Sequence, residues 1–327
     1  MGYTDYRIIA KERQSYIVRK IFFLILTVIS LFLVCGCRQE AEIANGEKIS
    51  VVTTIFPTYD FSNSIVGEHG DVTLLLKPGE ESHSYEPTPQ DIIKIQNCDV
   101  FVYIGGESDA WVDKILKSVD TSKIKLVTLL DCVDLIESGG SEHKHGHNDT
   151  YDEHIWTSPQ NAIKMTKKIS EAIVSLDSEN TEKYKENTEK YIEELTALDI
   201  LFRDISENKE NDTIIVGDRF PFIYLTEEYG INYCAAFESC SEESEVSAAT
   251  VANLVKETKN RNIKIVFQIE MSSGRIADSI CAETGAEKRV LHSCNNISKE
   301  EKEKGETYIS LMTKNAEVLK EALGYKG

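Results

Sequence analysis

The amino-acid sequence predicts an α/β fold of two lobes, each a small, mainly parallel sheet with flanking helices, joined by a long helical spine. From residue 49 onward, short apolar runs typical of strands alternate with helical stretches, a pattern that indicates parallel strands with helical crossovers. The alternation stops and restarts at residue 213, and one helical pattern fills the interval. We therefore divide the folded part into an N-terminal lobe at 49–175, a linking helix at 176–210 and a C-terminal lobe at 211–327.

Each lobe is predicted to hold four strands. They fall at residues 49–55, 72–76, 99–104 and 124–130 in the first lobe, and at 213–217, 233–237, 263–269 and 288–291 in the second. Helices are predicted between them, at 59–66, 89–97, 111–119, 222–229, 248–259 and 276–283, with a last one at 308–323. Thr88-Pro89 and Ser158-Pro159 are helix start signals, because a capping hydroxyl precedes a first-turn proline.

The linking helix carries one apolar stripe. Its members recur every three or four residues: Tyr184, Thr188, Tyr191, Leu195, Leu198, Phe202 and Ile205. A coiled coil is the alternative interpretation, but the stripe is short for one and stands alone. A rigid spine predicts small motion between the lobes. It also directs the carboxyl ends of both sets of strands to one shared cleft, where open α/β sheets bind ligands.

Residues 1–36 are predicted to be a lipoprotein signal peptide. A basic start is followed by the apolar run 21–34, which is short for a transmembrane helix. Residues 34–37, Val-Cys-Gly-Cys, resemble a bacterial lipobox with Cys37 as the lipid-bearing thiol, and the polar stretch 37–48 suits a tether. The alternative is an uncleaved membrane anchor. Both interpretations place the folded part outside the cytoplasmic membrane.

The chain is strongly acidic, with a net charge of −19 over 327 residues. So acidic a protein is not expected to bind nucleic acid or anionic lipid, because both would be repelled. Removing the basic leader makes the folded part more acidic still, and a negative surface raises the local concentration of cations.

Cysteine usage leaves two alternatives open. Two of the eight cysteines lie in the leader, and six remain: Cys98, Cys132, Cys234, Cys240, Cys281 and Cys294. An exported protein permits disulfides, and Cys98 with Cys132 or Cys240 with Cys294 are possible pairs. Free, partly buried thiols are the alternative. Since no Cys-x-x-Cys pair occurs, a structural zinc ribbon is disfavoured.

Four of the seven histidines fall in one polar segment: His143, His145, His147 and His154. Imidazole is the commonest protein metal ligand, and short histidine-rich tracts are typical of metal binding. A polar loop that is only incidentally rich in histidine is the alternative. We interpret the loop at 139–154 as a metal-binding segment.

Three histidines directly follow predicted strands or their loops. His83 follows the second strand, His154 ends the loop after the fourth, and His292 follows the last. Three imidazoles that converge from two lobes would suit zinc, copper, iron or nickel better than magnesium, calcium or manganese. A loop histidine bonded to backbone is the alternative for any one of them.

The segments around two of these histidines resemble the zinc and manganese solute-binding lipoproteins of bacterial ABC importers. Residues 78–91, with His83, are similar to the first ligand loop of that family, and residues 152–159, with His154, to the second. The resemblance covers the whole mature chain. It implies a receptor and not an enzyme. The receptor would be a lipid-anchored monomer that delivers Zn²⁺ to an ABC permease. The histidine-rich loop is typical of the zinc branch and implies auxiliary metal capture by His143, His145 and His147.

The chain departs from the family pattern at the third ligand. Arg219 stands in that register, and a guanidinium cannot coordinate metal because it has no acceptor. Asp218, one residue earlier, is the nearest oxygen ligand, although capping of the following helix is an equal alternative. At the fourth position the chain has His292. Three nitrogens with Asp218 or water favour zinc over manganese.

Three further possibilities remain at this point. A manganese or iron receptor of the same type is the nearest alternative. A zinc-dependent hydrolase would also use three histidines and a water, but the chain has no His-Glu-x-x-His helix. A surface adhesin would rest on localisation alone.

Glu238 and Glu270 could orient a ligating imidazole, yet we expect both to be solvated acids.

Overall fold

A computed structural model describes residues 48–82, 84–137, 151–237 and 245–327 of the chain. The predicted lipidation site Cys37, the predicted ligand His83 and the loop histidines His143, His145 and His147 lie outside the described residues. None of the helices in the described part is both long and apolar enough to cross a membrane.

Four parallel strands form the N-terminal sheet: β1 (Ile49–Thr53), β2 (Gly70–Leu74), β3 (Val100–Tyr103) and β4 (Lys125–Thr128). Their order across the sheet is β2-β1-β3-β4. Four helices accompany it: α1 (Phe56–Val66), α2 (Pro89–Gln96), α3 (Val112–Leu116) and α4 (Pro159–Leu176). Apolar clusters lie on both faces, so the central strands are almost wholly buried.

The C-terminal sheet repeats this arrangement. Its strands are β5 (Thr213–Val216), β6 (Asn232–Ala235), β7 (Ile265–Gln268) and β8 (Glu287–Val290), in the order β6-β5-β7-β8 and all parallel. Its helices are α6 (Ile223–Tyr229), α7 (Ala248–Asn260), α8 (Arg275–Thr284), α9 (Lys299–Glu303) and α10 (Tyr308–Leu323). In both sheets the strand order reverses between the two central strands. The loops that follow those strands are therefore the expected place for a ligand.

The spine is the helix α5 (Thr181–Glu207), whose 27 residues span about 40 Å. Every residue of the predicted apolar stripe is buried. The helix contacts α1 and α4 on one side of the chain and α6 and α10 on the other. The predicted α/β fold with two parallel sheets and a long helix between them is confirmed.

The two predicted helix start signals are confirmed, and a third helix start was not predicted. Thr88 accepts the Asp91 N–H at the start of α2, and Ser158 accepts the Asn161 N–H at the start of α4. The short helix α9 was not predicted, although Ser298 and Glu301 form a capping box there. A serine followed three residues later by glutamate is the sequence signature of that box.

The described cysteines Cys98, Cys132, Cys234, Cys281 and Cys294 are free thiols. The pairing of Cys98 with Cys132 is therefore wrong, and the alternative of free, partly buried thiols holds for these five. Cys240 lies outside the described residues, while its suggested partner Cys294 is buried and free.

A buried carboxylate joins the helices of the two lobes to the spine. Asp60 on α1 accepts hydrogen bonds from the Tyr191 hydroxyl of α5, at 2.9 Å, and from the Tyr308 N–H of α10, at 3.1 Å. Burial raises the pKa of Asp60 to about 6, because the two hydrogen bonds offset only part of the lost hydration.

The raised pKa of Asp60 predicts a pH-dependent stability that Asp60→Asn should remove. The folded state holds this proton up to a higher pH than the unfolded state, where the pKa is about 4. The free energy of unfolding should therefore fall as pH rises through this window, by up to about 3 kcal/mol in the wild type relative to Asp60→Asn. Urea unfolding of both proteins across the window measures it. Equal pH dependence in the two would contradict the assignment, and the buried Asp109, present in both, cancels in the comparison.

Candidate metal-binding cleft

A cleft of about 270 Å³ opens where the carboxyl ends of the strands of both lobes meet. The N-terminal lobe contributes Glu80, Glu81, Ser82 and His154. The C-terminal lobe contributes Asp218, Arg219, Pro221, Ile269, Glu270, Met271, Ser272, Ser273, Ser293 and Asn295. The shared cleft predicted from strand topology is therefore present, and it is large enough for a hydrated metal ion because one water occupies about 30 Å³.

The loop before His83 is held by the opposite lobe. The Asn296 amide donates to the carbonyls of Lys77, at 2.7 Å, and Glu80, at 2.8 Å. The Asn295 amide donates to the Ser82 hydroxyl at 2.6 Å. His83 itself lies outside the described residues. Its neighbour Ser82 is buried and lines the cleft, so the loop approaches the site from the N-terminal lobe.

His154 lies in the cleft with its ring held on several sides. Its Nδ1 is 3.1 Å from Asp152 Oδ1, and its backbone carbonyl accepts the Thr157 hydroxyl at 2.8 Å. The Trp156 ring packs 5.2 Å from the imidazole, and Trp156 Nε1 donates across the lobes to the Ser293 carbonyl at 2.8 Å. Only 4% of the His154 side chain is exposed. This is the buried, oriented imidazole that metal coordination needs.

Asp218 follows β5 and presents a carboxylate to the same cleft. Its Oδ1 accepts the Arg219 N–H at 3.0 Å. Its Oδ2 is buried and has no hydrogen-bond partner in the part of the chain that the structure describes. The capping alternative is wrong, since Phe222 precedes α6 and no side chain caps that helix. A buried carboxylate oxygen without a donor is costly unless a cation meets it.

His292 occupies a different environment from His154. It does not belong to the described residues that line the cleft, and its Nδ1 accepts the Cys294 N–H at 2.9 Å. Its Nε2 lies 3.4 Å from Glu301 Oε1, without hydrogen-bond geometry. Burial lowers the pKa of His292, but the carboxylates of Glu270 and Glu301 outweigh this effect and raise it.

When both imidazoles are neutral, the partners of Nδ1 set opposite tautomers for them. A carboxylate accepts only, so His154 carries its proton on Nδ1 and keeps a lone pair on Nε2. A backbone N–H donates only, so His292 keeps its lone pair on Nδ1 and carries the proton on Nε2. In this conformation His154 is prepared for coordination through Nε2. To coordinate a metal ion, His292 would have to break its Nδ1 hydrogen bond with the Cys294 N–H or lose the proton on Nε2.

Two glutamates with little-exposed side chains lie beside these histidines. Glu153 accepts the N–H and hydroxyl of Ser108, and Glu270 accepts the N–H and hydroxyl of Ser293. Glu270 was expected to be solvated, and that expectation is wrong because only 8% of its side chain is exposed. Glu238 lies outside the described residues.

The described residues alone do not assemble a complete metal site. Among them, no group of three or more histidine, cysteine, aspartate or glutamate side chains is close enough to hold one ion. The structure brings His154 and Asp218 to one cleft, and His292 is not among the described residues that line it. Tyr151 pairs with Glu137 in an isolated antiparallel bridge.

Comparison with known proteins agrees with this architecture. Residues 51–322 match the family described as ZnuA, zinc-uptake complex component A, periplasmic. The chain belongs to this family. The high-affinity zinc uptake system protein ZnuA of Bacillus subtilis (strain 168) is 36% identical over 309 residues, which cover 92% of this chain and 96% of that protein.

Solved structures of the family have the same fold. The metal-dependent lipoprotein YcdH of Bacillus subtilis superposes with a TM-score of 0.74 at 36% identity, covering 84% of this chain and 100% of that one. The Zn(II)-bound ZnuA-like domain of Streptococcus pneumoniae AdcA gives a TM-score of 0.72 at 30% identity, covering 85% and 99%. The resemblance inferred from the two ligand loops is confirmed. The chain is an extracytoplasmic component of zinc uptake, with a metal ion as its ligand and an ABC transporter as its partner.

Proposed function

We propose that this protein captures extracytoplasmic Zn²⁺ in the cleft between its lobes and delivers it to an ABC permease for import. One observation carries the proposal: the buried Oδ2 of Asp218, which has no hydrogen-bond partner among the described residues, lies in the same cleft as His154, whose tautomer leaves Nε2 able to coordinate. Names of relatives support zinc, since the Bacillus subtilis relative is a high-affinity zinc uptake protein. Capture and release of an ion need no catalysis, so we do not assign an enzymatic role.

The proposed ligands are His83, His154 and Asp218, with His292 as a further candidate. His154 and Asp218 approach from opposite lobes, and the loop held by Asn295 and Asn296 would bring His83 to them. Zinc accepts imidazole nitrogen and carboxylate oxygen in a four-coordinate site. His292 would complete the site only after its ring changes partners. Water is the alternative fourth ligand.

Outside the described residues, we propose three further assignments. Cleavage after residue 36 would leave Cys37 as the lipid anchor, with residues 37–48 as a tether. His143, His145 and His147 would collect metal near the cleft without holding it tightly. The monomer would then consist of the lobes at 49–175 and 211–327 and the linking helix at 176–210.

A manganese receptor is the second candidate, because four acidic residues line the cleft beside one described imidazole: Glu80, Glu81, Asp218 and Glu270. Oxygen-rich sites suit manganese, whereas imidazole suits zinc. The carboxylate of Glu270 already accepts two hydrogen bonds from Ser293, which favours a supporting role for it.

Asp218→Asn is expected to weaken zinc binding by more than about tenfold, a loss of about 1.4 kcal/mol. The amide has one neutral acceptor oxygen in place of a charged carboxylate, so its bond to a dication is weaker. The measurement is titration of protein stripped of metal, with a chelator as competitor and manganese as a rival ion. Asp134→Asn is the matched control, because the Asp134 side chain is fully exposed.

Two results would count against this assignment. Equal zinc affinities for Asp218→Asn and the control would remove Asp218 from the site. Tight manganese binding with no measurable zinc binding by the unaltered protein would replace zinc as the proposed cargo.

A further inference from the structure

We infer that Asp152 is a positioning residue for His154, and that Tyr224 of the C-terminal lobe holds Asp152 in place. The inference about the ring follows from the geometry of these three residues. Its effect on zinc affinity rests on the proposed function.

One oxygen of the Asp152 carboxylate contacts both the backbone and the ring of His154. Oδ1 accepts the His154 backbone N–H at 2.8 Å and lies 3.1 Å from His154 Nδ1. The Asp152 side chain is 1% exposed and that of His154 is 4% exposed, so water hardly competes for either contact. A carboxylate paired with one imidazole nitrogen fixes the tautomer and ring orientation, and it increases the basicity of the other nitrogen.

Tyr224 ties this pair to the opposite lobe. Its hydroxyl donates to the Asp152 carbonyl at 2.8 Å and accepts the Ile136 N–H at 3.1 Å. The Asp152 N–H in turn donates to the Ile136 carbonyl at 2.9 Å. Tyr224 lies on α6, shortly after Asp218, and is 3% exposed. One side chain thus links the segment that carries Asp218 to the segment that carries His154.

This arrangement has a consequence for metal capture. Two ligands from different lobes bind one ion well only when the distance and angle between them are already set. The Tyr224–Asp152–His154 chain supplies that alignment across the lobes before metal arrives. At Nδ1, His292 accepts the Cys294 N–H and is 3.7 Å from the Glu270 carboxylate, which makes it an internal reference for the Asp152 contact.

The test uses Asp152→Ala and Asp152→Asn in the full-length folded protein. Nitrogen-15 NMR of the histidine rings, without metal, reports which nitrogen of His154 carries the proton. We expect one tautomer in the wild type, a mixture in Asp152→Ala, and restoration in Asp152→Asn, which keeps an acceptor oxygen at this site. His292 should not change. A His154 ring with an unaltered tautomer in Asp152→Ala would overturn the inference.

Zinc titration of the same variants adds the functional readout. Asp152→Ala should bind zinc about 10–100-fold more weakly, the usual effect of losing an outer carboxylate, with partial recovery in Asp152→Asn. If the wild type binds no zinc, the proposed function fails while the ring result still stands. If Asp152→Ala binds zinc as the wild type does, the positioning role is overturned.

A second pair of variants decides the matter if Asp152→Ala does not fold. Tyr224→Phe removes the hydroxyl that holds Asp152. Tyr229→Phe removes a buried hydroxyl from the same helix, one that donates to Asp199 at 2.9 Å, away from His154. We expect weaker zinc binding and a mixed His154 tautomer only in Tyr224→Phe. Equal results for the two tyrosine variants would overturn the role of Tyr224 and with it the inference.

Discussion

Replacing His154 with alanine is expected to lower the zinc affinity of this protein by roughly 10²–10³-fold. Structural zinc sites with four protein ligands bind with about 10–16 kcal/mol, so an equal share for one ligand is about 2.5–4 kcal/mol. His154 should reach this full value because its ring is already oriented by Asp152 and Trp156 and is buried. Metal binding therefore costs little conformational entropy of the His154 side chain.

The measurement is isothermal titration with a competing chelator, combined with thermal unfolding of the metal-free protein. His69→Ala is the matched control, since the His69 side chain is 31% exposed and lies outside the described lining of the cleft. The control should bind zinc as the wild type does. Wild-type affinity in a folded His154→Ala variant would show that the cleft holds metal without this residue and would end the proposed ligand set.

Leu195→Ala should destabilise the folded protein by about 2–5 kcal/mol, the range for truncation of a buried leucine. Leu195 is 0% exposed in the middle of the spine helix, which packs against helices of both lobes. The variant loses buried apolar surface and leaves a cavity that rigid neighbouring helices can fill only in part.

Urea unfolding measures this effect, and the same helix offers its own control. Ile200 is 61% exposed, so Ile200→Ala should change the free energy of unfolding by less than about 0.5 kcal/mol. Alanine favours the helix at least as well as leucine or isoleucine, so a similar loss in both variants would mean that burial of Leu195 between the helices does not set its contribution. The predicted difference would then be wrong.

The fold could be predicted far into its detail because its signals are local. The stripe from Tyr184 to Ile205 needs only the 3.6-residue period of a helix and a core to face, and every member is buried. Thr88 and Ser158 cap their helices through hydrogen bonds to residues three positions later, so each signal lies within four residues of sequence. Strand–helix alternation implies parallel sheets, and parallel sheets imply a cleft at the carboxyl ends of the strands.

The chemistry of the candidate site was only partly predictable. His154 and Asp218 reach the cleft as strand topology requires. The partner of each ring nitrogen was not predictable, because Asp152 and Cys294 are ordinary neighbours in sequence until the backbone turns them toward a histidine. The hydrogen-bond partner of Glu270 is Ser293, 23 residues away, and could not be predicted from the segment around Glu270.

The sequence by itself determined the class of fold, the family and the histidines worth testing, since these depend on periodicity and on short motifs. Only the tertiary structure decided that Asp218 is not a helix cap, that Cys98 and Cys132 do not pair, and that His154 and His292 have opposite tautomers. The physical reason is the same in each case. A hydrogen bond, a disulfide or a buried charge depends on distances between groups within a few ångströms, and packing of distant segments sets those distances.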